Sequence, residues 1–164
     1  MSQSGIETGS EQAGEAARLY RRTYLAERRL VPGADALLRV LRRSVRLGIV
    51  SNNILAEQED KLAYFNLRSV FDVLVVSAEE GVSKPEPGIF RVALARLGCP
   101  AEDAVMVGDT WAADILGAAS VGMRAVWFNQ RGEPVPDPSL AVEIRSLEPT
   151  EAVSRTILDG HSRL

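Results

Sequence analysis

Val105-Met106-Val107-Gly108-Asp109-Thr110-Trp111-Ala112-Ala113-Asp114 is an apolar run that stops at a glycine and continues with two spaced carboxylates. The pattern reads as a buried strand breaking into a turn that opens a helix. In open α/β sheets such strand ends are where ligands bind. Asp109 falls at the strand tip and Asp114 about a turn and a half into the helix, close enough in space to share a hard cation such as Mg²⁺. Taken alone, the decapeptide is equally compatible with helix capping by Asp109 or Thr110.

Outward from this stretch, strands and helices alternate. Arg46 to Val50 reads as a short strand ending in the small polar turn Ser51-Asn52-Asn53, and Glu57 to Phe65 as a helix. Val73 to Val76 has strand character throughout. Ser77 to Pro87 reads as a loop containing Lys84, with proline at the start of a helix over Ile89 to Leu97. After the opening stretch come a helix from about Ala112 to Ser120 and a strand over Ala125 to Phe128. A proline-rich loop, a short edge strand over Ala141 to Ile144 and a closing helix over Pro149 to Leu158 follow. Before all of these, Ala34 to Arg43 is helical, and Val31-Pro32-Gly33 separates it from a helix over Glu11 to Arg29. Residues 1–10 are expected to be a disordered tail. Strands that are apolar throughout imply a parallel sheet covered on both faces, hence an α/β fold.

Composition narrows the function. One domain with a substantial core is expected from 164 residues that are 46% hydrophobic. The 19 basic residues against 22 acidic ones leave a net charge of −3, which favours neither nucleic acid nor an anionic membrane as partner. Arg39, Arg42, Arg43 and Arg46 fall at spacings that suit a solvated helix face. A single cysteine, Cys99, excludes an intrachain disulfide and suits a reducing cytoplasm. His161, in a polar tail, is a poor catalytic candidate. No apolar run approaches a membrane span.

Three strand ends therefore carry chemistry: Ser51 and Asn52 after the first, Lys84 beyond the second, Asp109 with Asp114 after the third. A parallel sheet brings these ends to one edge. Ser51 and nearby backbone amides suit phosphate oxygens, Lys84 suits phosphate charge, and the aspartates suit Mg²⁺. Each residue also has a plain reading, as turn former, exposed lysine or helix cap; their joint appearance in this order favours a site.

At this point the chain resembles the haloacid dehalogenase (HAD) superfamily, in its phosphatase branch. The likeness rests on Ile49-Val50-Ser51-Asn52, on Ser83-Lys84-Pro85-Glu86-Pro87-Gly88-Ile89-Phe90, and on Val107-Gly108-Asp109-Thr110 through Asp114, over about residues 31–148. It implies a HAD-like, Rossmann-type parallel sheet flanked by helices. It also implies a Mg²⁺-dependent phosphatase of a small phosphorylated metabolite, working through an aspartyl-phosphate. By the resemblance Ser51 and Asn52 bind phosphate, Lys84 bridges phosphate and the attacked carboxylate, Asp109 ligates Mg²⁺, and Asp114 supports the metal or the lysine.

The family's first motif, an Asp-x-Asp strand supplying the nucleophile, is not found. Asp35 is the only aspartate before Ser51, and it suits a helix start. Glu79 and Glu80 carry no mark of a nucleophile. The helix over residues 11–30 is then expected to be a cap remnant and residues 31–164 the core domain, in a chain that begins partway through a family member. The resemblance puts the missing strand in mid-sheet, between the strands ending at Val50 and Val107. Such a gap must be closed by direct pairing, by another copy through self-association, or by a missing fragment. The chain alone is expected to be inactive. The alternative is a non-catalytic relic binding phosphate or a partner; a receiver-type phosphoacceptor domain has its acidic pair and lysine in the reverse order.

Overall fold

The computed structural model describes residues 28–159. The expected tail and nearly all of the expected cap helix lie outside that range; Arg28 and Arg29, its last two residues, are not helical. The described elements run α1 (Ala34–Leu41), β1 (Gly48–Ser51), α2 (Leu55–Tyr64), β2 (Val73–Val76), α3 (Ser77–Glu80), α4 (Pro87–Leu97) and β3 (Val105–Gly108). A π-helical turn (Trp111–Ile115), α5 (Leu116–Ala119), β4 (Arg124–Phe128), β5 (Val142–Ile144) and α6 (Thr150–Leu158) complete the order. None of the described helices is long and apolar enough to cross a membrane.

All pairings between described strands are parallel: β1 with β2, then β3 with β4 and β4 with β5. The sheet is α/β, as its apolar strands require. β4 shows why both faces must be covered. Its Ala125 and Trp127 join a core with Val73, Val75, Ile89, Phe90, Ile115 and Ala118, whereas the intervening Val126 joins Leu37, Leu41, Ile144, Val153 and Ile157. Alternate side chains of one strand thus feed two helical layers, α4 with α5 on one side and α1 with α6 on the other.

Local boundaries follow local chemistry. Pro87 begins α4, where its missing N–H costs nothing, and Gly98 ends it at φ 63°. Two details differ from the sequence reading. Ser77 to Glu80 forms a single helical turn, closed by Gly81 at φ 67°, because the glycine caps what otherwise reads as loop. The helix expected from Ala112 begins instead as a π turn, with only Leu116 to Ala119 in α conformation.

The two halves of the sheet do not pair with each other. β1 hydrogen-bonds to β2 and β3 to β4, and no described strand joins β1 to β3. The direct pairing of β1 with β3, one of the arrangements expected from the sequence, is therefore not the one found. A cleft of about 970 Å³ runs between them, lined by Gly48, Ile49 and Val50 on one side and Val105, Met106 and Val107 on the other. Leu37 and Leu41 of α1 and Leu94 and Leu97 of α4 also line it. Val107, on a strand of core composition, is accordingly 37% exposed.

Phe90 and Ile89 are 0% exposed at the centre of the first layer. Phe90→Ala is expected to destabilise the fold by about 3–5 kcal/mol through lost burial and a residual cavity. Urea unfolding followed by circular dichroism measures this, and a midpoint within error of wild type would contradict the packing described.

Candidate active site

Lys84 lies in the connection between α3 and α4, and Asp114 inside the π turn after β3. Their side chains meet. Lys84 Nζ donates to Asp114 Oδ1 at 2.6 Å, with the two side chains 14% and 4% exposed. The other oxygen, Asp114 Oδ2, accepts the Thr110 backbone N–H at 2.9 Å, and the Asp114 N–H returns to the Thr110 carbonyl at 2.7 Å. A π turn is a rare, wider form of helix that recurs at functional sites. Here it carries Asp114 inward beneath the strand end.

Gly108 makes that approach possible. A Cβ at this position would stand 2.4 Å from Asp114 Cβ and Cγ, so no side chain fits between the strand tip and the carboxylate. Gly117 does the same for the lysine loop. Its absent Cβ would meet the Phe90 ring at 2.5 Å and Pro85 Cα at 3.1 Å, so α5 can pack directly on the residue that follows Lys84. The Lys84–Pro85 peptide is cis.

Asn52 holds the lysine from the other side. Its side-chain amide donates to the Lys84 carbonyl at 2.9 Å and accepts the Lys84 N–H at 2.7 Å. The turn after β1 is thereby stitched to the lysine loop, and Asn52 spends its side chain on positioning. Ser51, one residue earlier and half-buried, donates a long hydroxyl hydrogen bond to Gln58 Oε1 of α2 at 3.5 Å.

Asp109 is exposed at the tip of β3. Its carboxylate accepts a 3.4 Å hydrogen bond from the Thr110 hydroxyl, and its carbonyl accepts the Trp127 indole N–H at 3.1 Å. Trp111 packs edge-on against Trp127, with ring centroids 5.0 Å apart at 76°. The residue beside the site is thus supported by a second tryptophan, which the sequence marks only as core. Lys84, Asp109 and Asp114 all line the cleft between β1 and β3. No group of three or more His, Cys, Asp or Glu side chains suited to a metal exists among the described residues. Of the two aspartates, Asp109 keeps its carboxylate exposed, while Asp114 has both oxygens engaged by the protein.

Sequence reading brings Ser51, Asn52, Lys84, Asp109 and Asp114 to one sheet edge, and the structure joins Asn52, Lys84 and Asp114 by direct hydrogen bonds. Gly108, Gly117 and Trp127 were missed as supports. The signal for Gly108 was its place between an apolar strand and Asp109; nothing local marks the other two.

The profile of the haloacid dehalogenase-like hydrolases matches residues 5–122. The chain belongs to this family. It is 37% identical over 142 residues to a phosphoserine phosphatase of Thermus thermophilus, covering 82% of this chain and 57% of that protein. It is 41% identical over 108 residues to a pyrimidine 5'-nucleotidase of Escherichia coli, covering 65% of this chain and 48% of that protein. A HAD phosphatase from Thermococcus onnurineus superposes with a TM-score of 0.74 at 35% identity, over 82% of this chain and 62% of that one. A HAD-hydrolase of Bacillus subtilis, solved bound to magnesium, gives 0.69 at 30% identity, over 80% and 56%. The chain spans about half the length of the curated relatives it matches.

The Lys84–Asp114 pair invites a direct measurement. Asp114→Ala is expected to destabilise the protein by about 3 kcal/mol, because it strands a mostly buried ammonium. Lys84→Met in that background should recover part of the loss. A double-mutant cycle by urea unfolding reads the coupling, and additive single effects would show that the two groups do not interact.

Proposed function

We propose that this chain carries the phosphate-, lysine- and metal-holding part of a Mg²⁺-dependent phosphatase site for small phosphorylated metabolites of the cytoplasm. The observation that carries the reading is Lys84 Nζ, held on Asp114 at 2.6 Å at the mouth of a cleft that Asp109 also lines. Phosphatases among the relatives support it, as does the magnesium bound to the Bacillus subtilis hydrolase.

In this reading the Lys84 ammonium lies against phosphate oxygens, and its pairing with Asp114 fixes the direction of its long side chain. That lowers the entropy to be lost when the phosphate binds. Asn52 holds the backbone of the same lysine, and the Ser51 hydroxyl donates to a phosphate oxygen after leaving Gln58. Asp109 fits a Mg²⁺ ligand: it is an exposed carboxylate at a strand tip, and Mg²⁺ is commonly held by one or two carboxylates with water completing the shell. Mg²⁺, when bound, supplies neutralisation of phosphate charge. Asp114 acts through Lys84, which is the second of the two roles its position allows.

The covalent route needs a carboxylate in line with the phosphorus, forming an aspartyl-phosphate. Asp-x-Asp does not occur in the sequence, and Asp114 is committed to Lys84 and Thr110. The chain alone is therefore read as inactive. A phosphate- or partner-binding relic draws on the same missing motif, and the two readings part at the metal.

Purified chain is expected to turn over p-nitrophenyl phosphate with Mg²⁺ no faster than background. Turnover abolished by Asp109→Ala would refute the missing nucleophile. Calorimetric titration with MgCl₂ should show binding that Asp109→Ala removes; an absence of binding in both proteins would favour the relic.

A further inference from the structure

We propose that Trp127 is a positioning residue for Asp109: its indole N–H fixes the peptide that aims the Asp109 carboxylate, and so sets the affinity of the site for Mg²⁺. The proposal rests on the reading of Asp109 as a metal ligand; the tryptophan's part in it rests on hydrogen-bond geometry.

One peptide group carries the argument. The ladder between β3 and β4 ends at the pair Gly108 and Trp127, so Asp109 is the first residue beyond it. The Asp109 carbonyl accepts the Trp127 indole N–H at 3.1 Å. The N–H of the same peptide, on Thr110, donates to Asp114 Oδ2 at 2.9 Å. Both lie in the ordinary range for N–H to oxygen bonds. A trans peptide is planar, with its C=O and N–H pointing to opposite sides. A hold on each group therefore stops the plane from rotating, and the direction in which the Asp109 side chain leaves the strand tip is set with it.

Each hold comes from a rigid support. At Trp127, β4 is paired with β3 on one side and with β5 on the other. The Trp127 side chain is in the buried core with Ile89, Phe90, Ile115 and Ala118, and Trp111 packs edge-on against it. The indole cannot swing away from the carbonyl without opening that core. On the opposite side Asp114 is fixed by Lys84. The carboxylate so aimed is otherwise lightly held: among the described residues it accepts the 3.4 Å bond from the Thr110 hydroxyl. Its direction thus comes from the backbone, which leaves its oxygens available to a cation.

A buried indole N–H needs an acceptor in any case. Positioning differs from satisfaction in its effect on the metal. Groups behind a ligand that hold its orientation change metal affinity by about 10–100-fold when they are removed. A hydrogen bond that only satisfies the indole leaves that affinity alone.

The test uses the full chain, MgCl₂ and the variants Trp127→Phe and Trp111→Phe. Both substitutions shrink a tryptophan ring and lower the urea unfolding midpoint, but only Trp127→Phe removes the donor to Asp109. Calorimetric titration is expected to show Mg²⁺ binding weakened about tenfold in Trp127→Phe and unchanged in Trp111→Phe. Without metal, exchange of the Thr110 amide hydrogen is expected to quicken in Trp127→Phe alone, because the far side of its peptide is released. In the wild-type chain the Trp127 indole N–H, one of two such signals in the nitrogen-15 spectrum, is expected to shift as MgCl₂ saturates the site and to stay in place in Asp109→Ala. That measurement requires no tryptophan variant to fold. Equal losses of affinity in the two tryptophan variants, an unchanged Thr110 exchange rate, or an indole signal unmoved at saturating MgCl₂ would overturn the proposal. Binding that Asp109→Ala removes and Trp127→Phe spares overturns this proposal and leaves the metal reading standing. Absence of Mg²⁺ binding to the wild-type chain overturns the metal reading, and this proposal with it.

Discussion

The constraint on which the site depends is the ion pair between Lys84 and Asp114, 2.6 Å long and almost wholly withdrawn from water. Two charges so placed lose their hydration, and their attraction offsets that loss only when the geometry is good and the remaining lone pairs are satisfied. Much of the local structure serves that condition. The π turn brings the Asp114 carboxylate inward, and the Thr110 N–H satisfies its second oxygen. Gly108 leaves the room the carboxylate occupies, and Asn52 grips both backbone groups of Lys84. Three segments far apart in sequence are thereby tied to one another: the turn after β1, the loop before α4, and the tip of β3 with the turn that follows it.

The same segments are held by the core beneath them. Phe90, at the start of α4, fills the space that a side chain on Gly117 would take. α4 packs against β1 and β2, and α5 against β4. The two halves of the sheet therefore share one apolar layer although no described strand of one half pairs with a strand of the other. That layer explains how a sheet with an open cleft keeps its strand ends in register: the helices carry the alignment that backbone hydrogen bonds would otherwise supply. The cleft in turn leaves Val107 exposed on a strand whose composition belongs in a core.

Much of the candidate site was legible in the sequence because strand ends in a parallel sheet share one edge. Once Ile49-Val50, Val73 to Val76 and Val105 to Val107 read as buried strands, Ser51, Asn52, Lys84, Asp109 and Asp114 had to gather there. Their individual partners were not legible. Asn52 suits phosphate as well as a backbone clamp, and Asp114 suits a metal as well as a lysine; only distances separate these roles. Trp127 read as core and is core, yet its indole N–H also holds the Asp109 carbonyl. Such a contact joins residues on two strands and has no local signature. The single turn at Ser77 to Glu80 was missed because four residues carry no helical period.

By itself, the sequence determined the α/β class, the order of the elements and the family. Apolar runs, helical periods and the motif residues are local properties that survive without a structure. It also determined that no Asp-x-Asp accompanies them. Tertiary structure alone decided that the Asp114 carboxylate faces Lys84, that Asn52 serves the lysine backbone, and that β1 and β3 stand apart around a cleft. These outcomes depend on which groups meet across elements, where a difference of one hydrogen bond or one absent Cβ selects among partners that the sequence leaves equal.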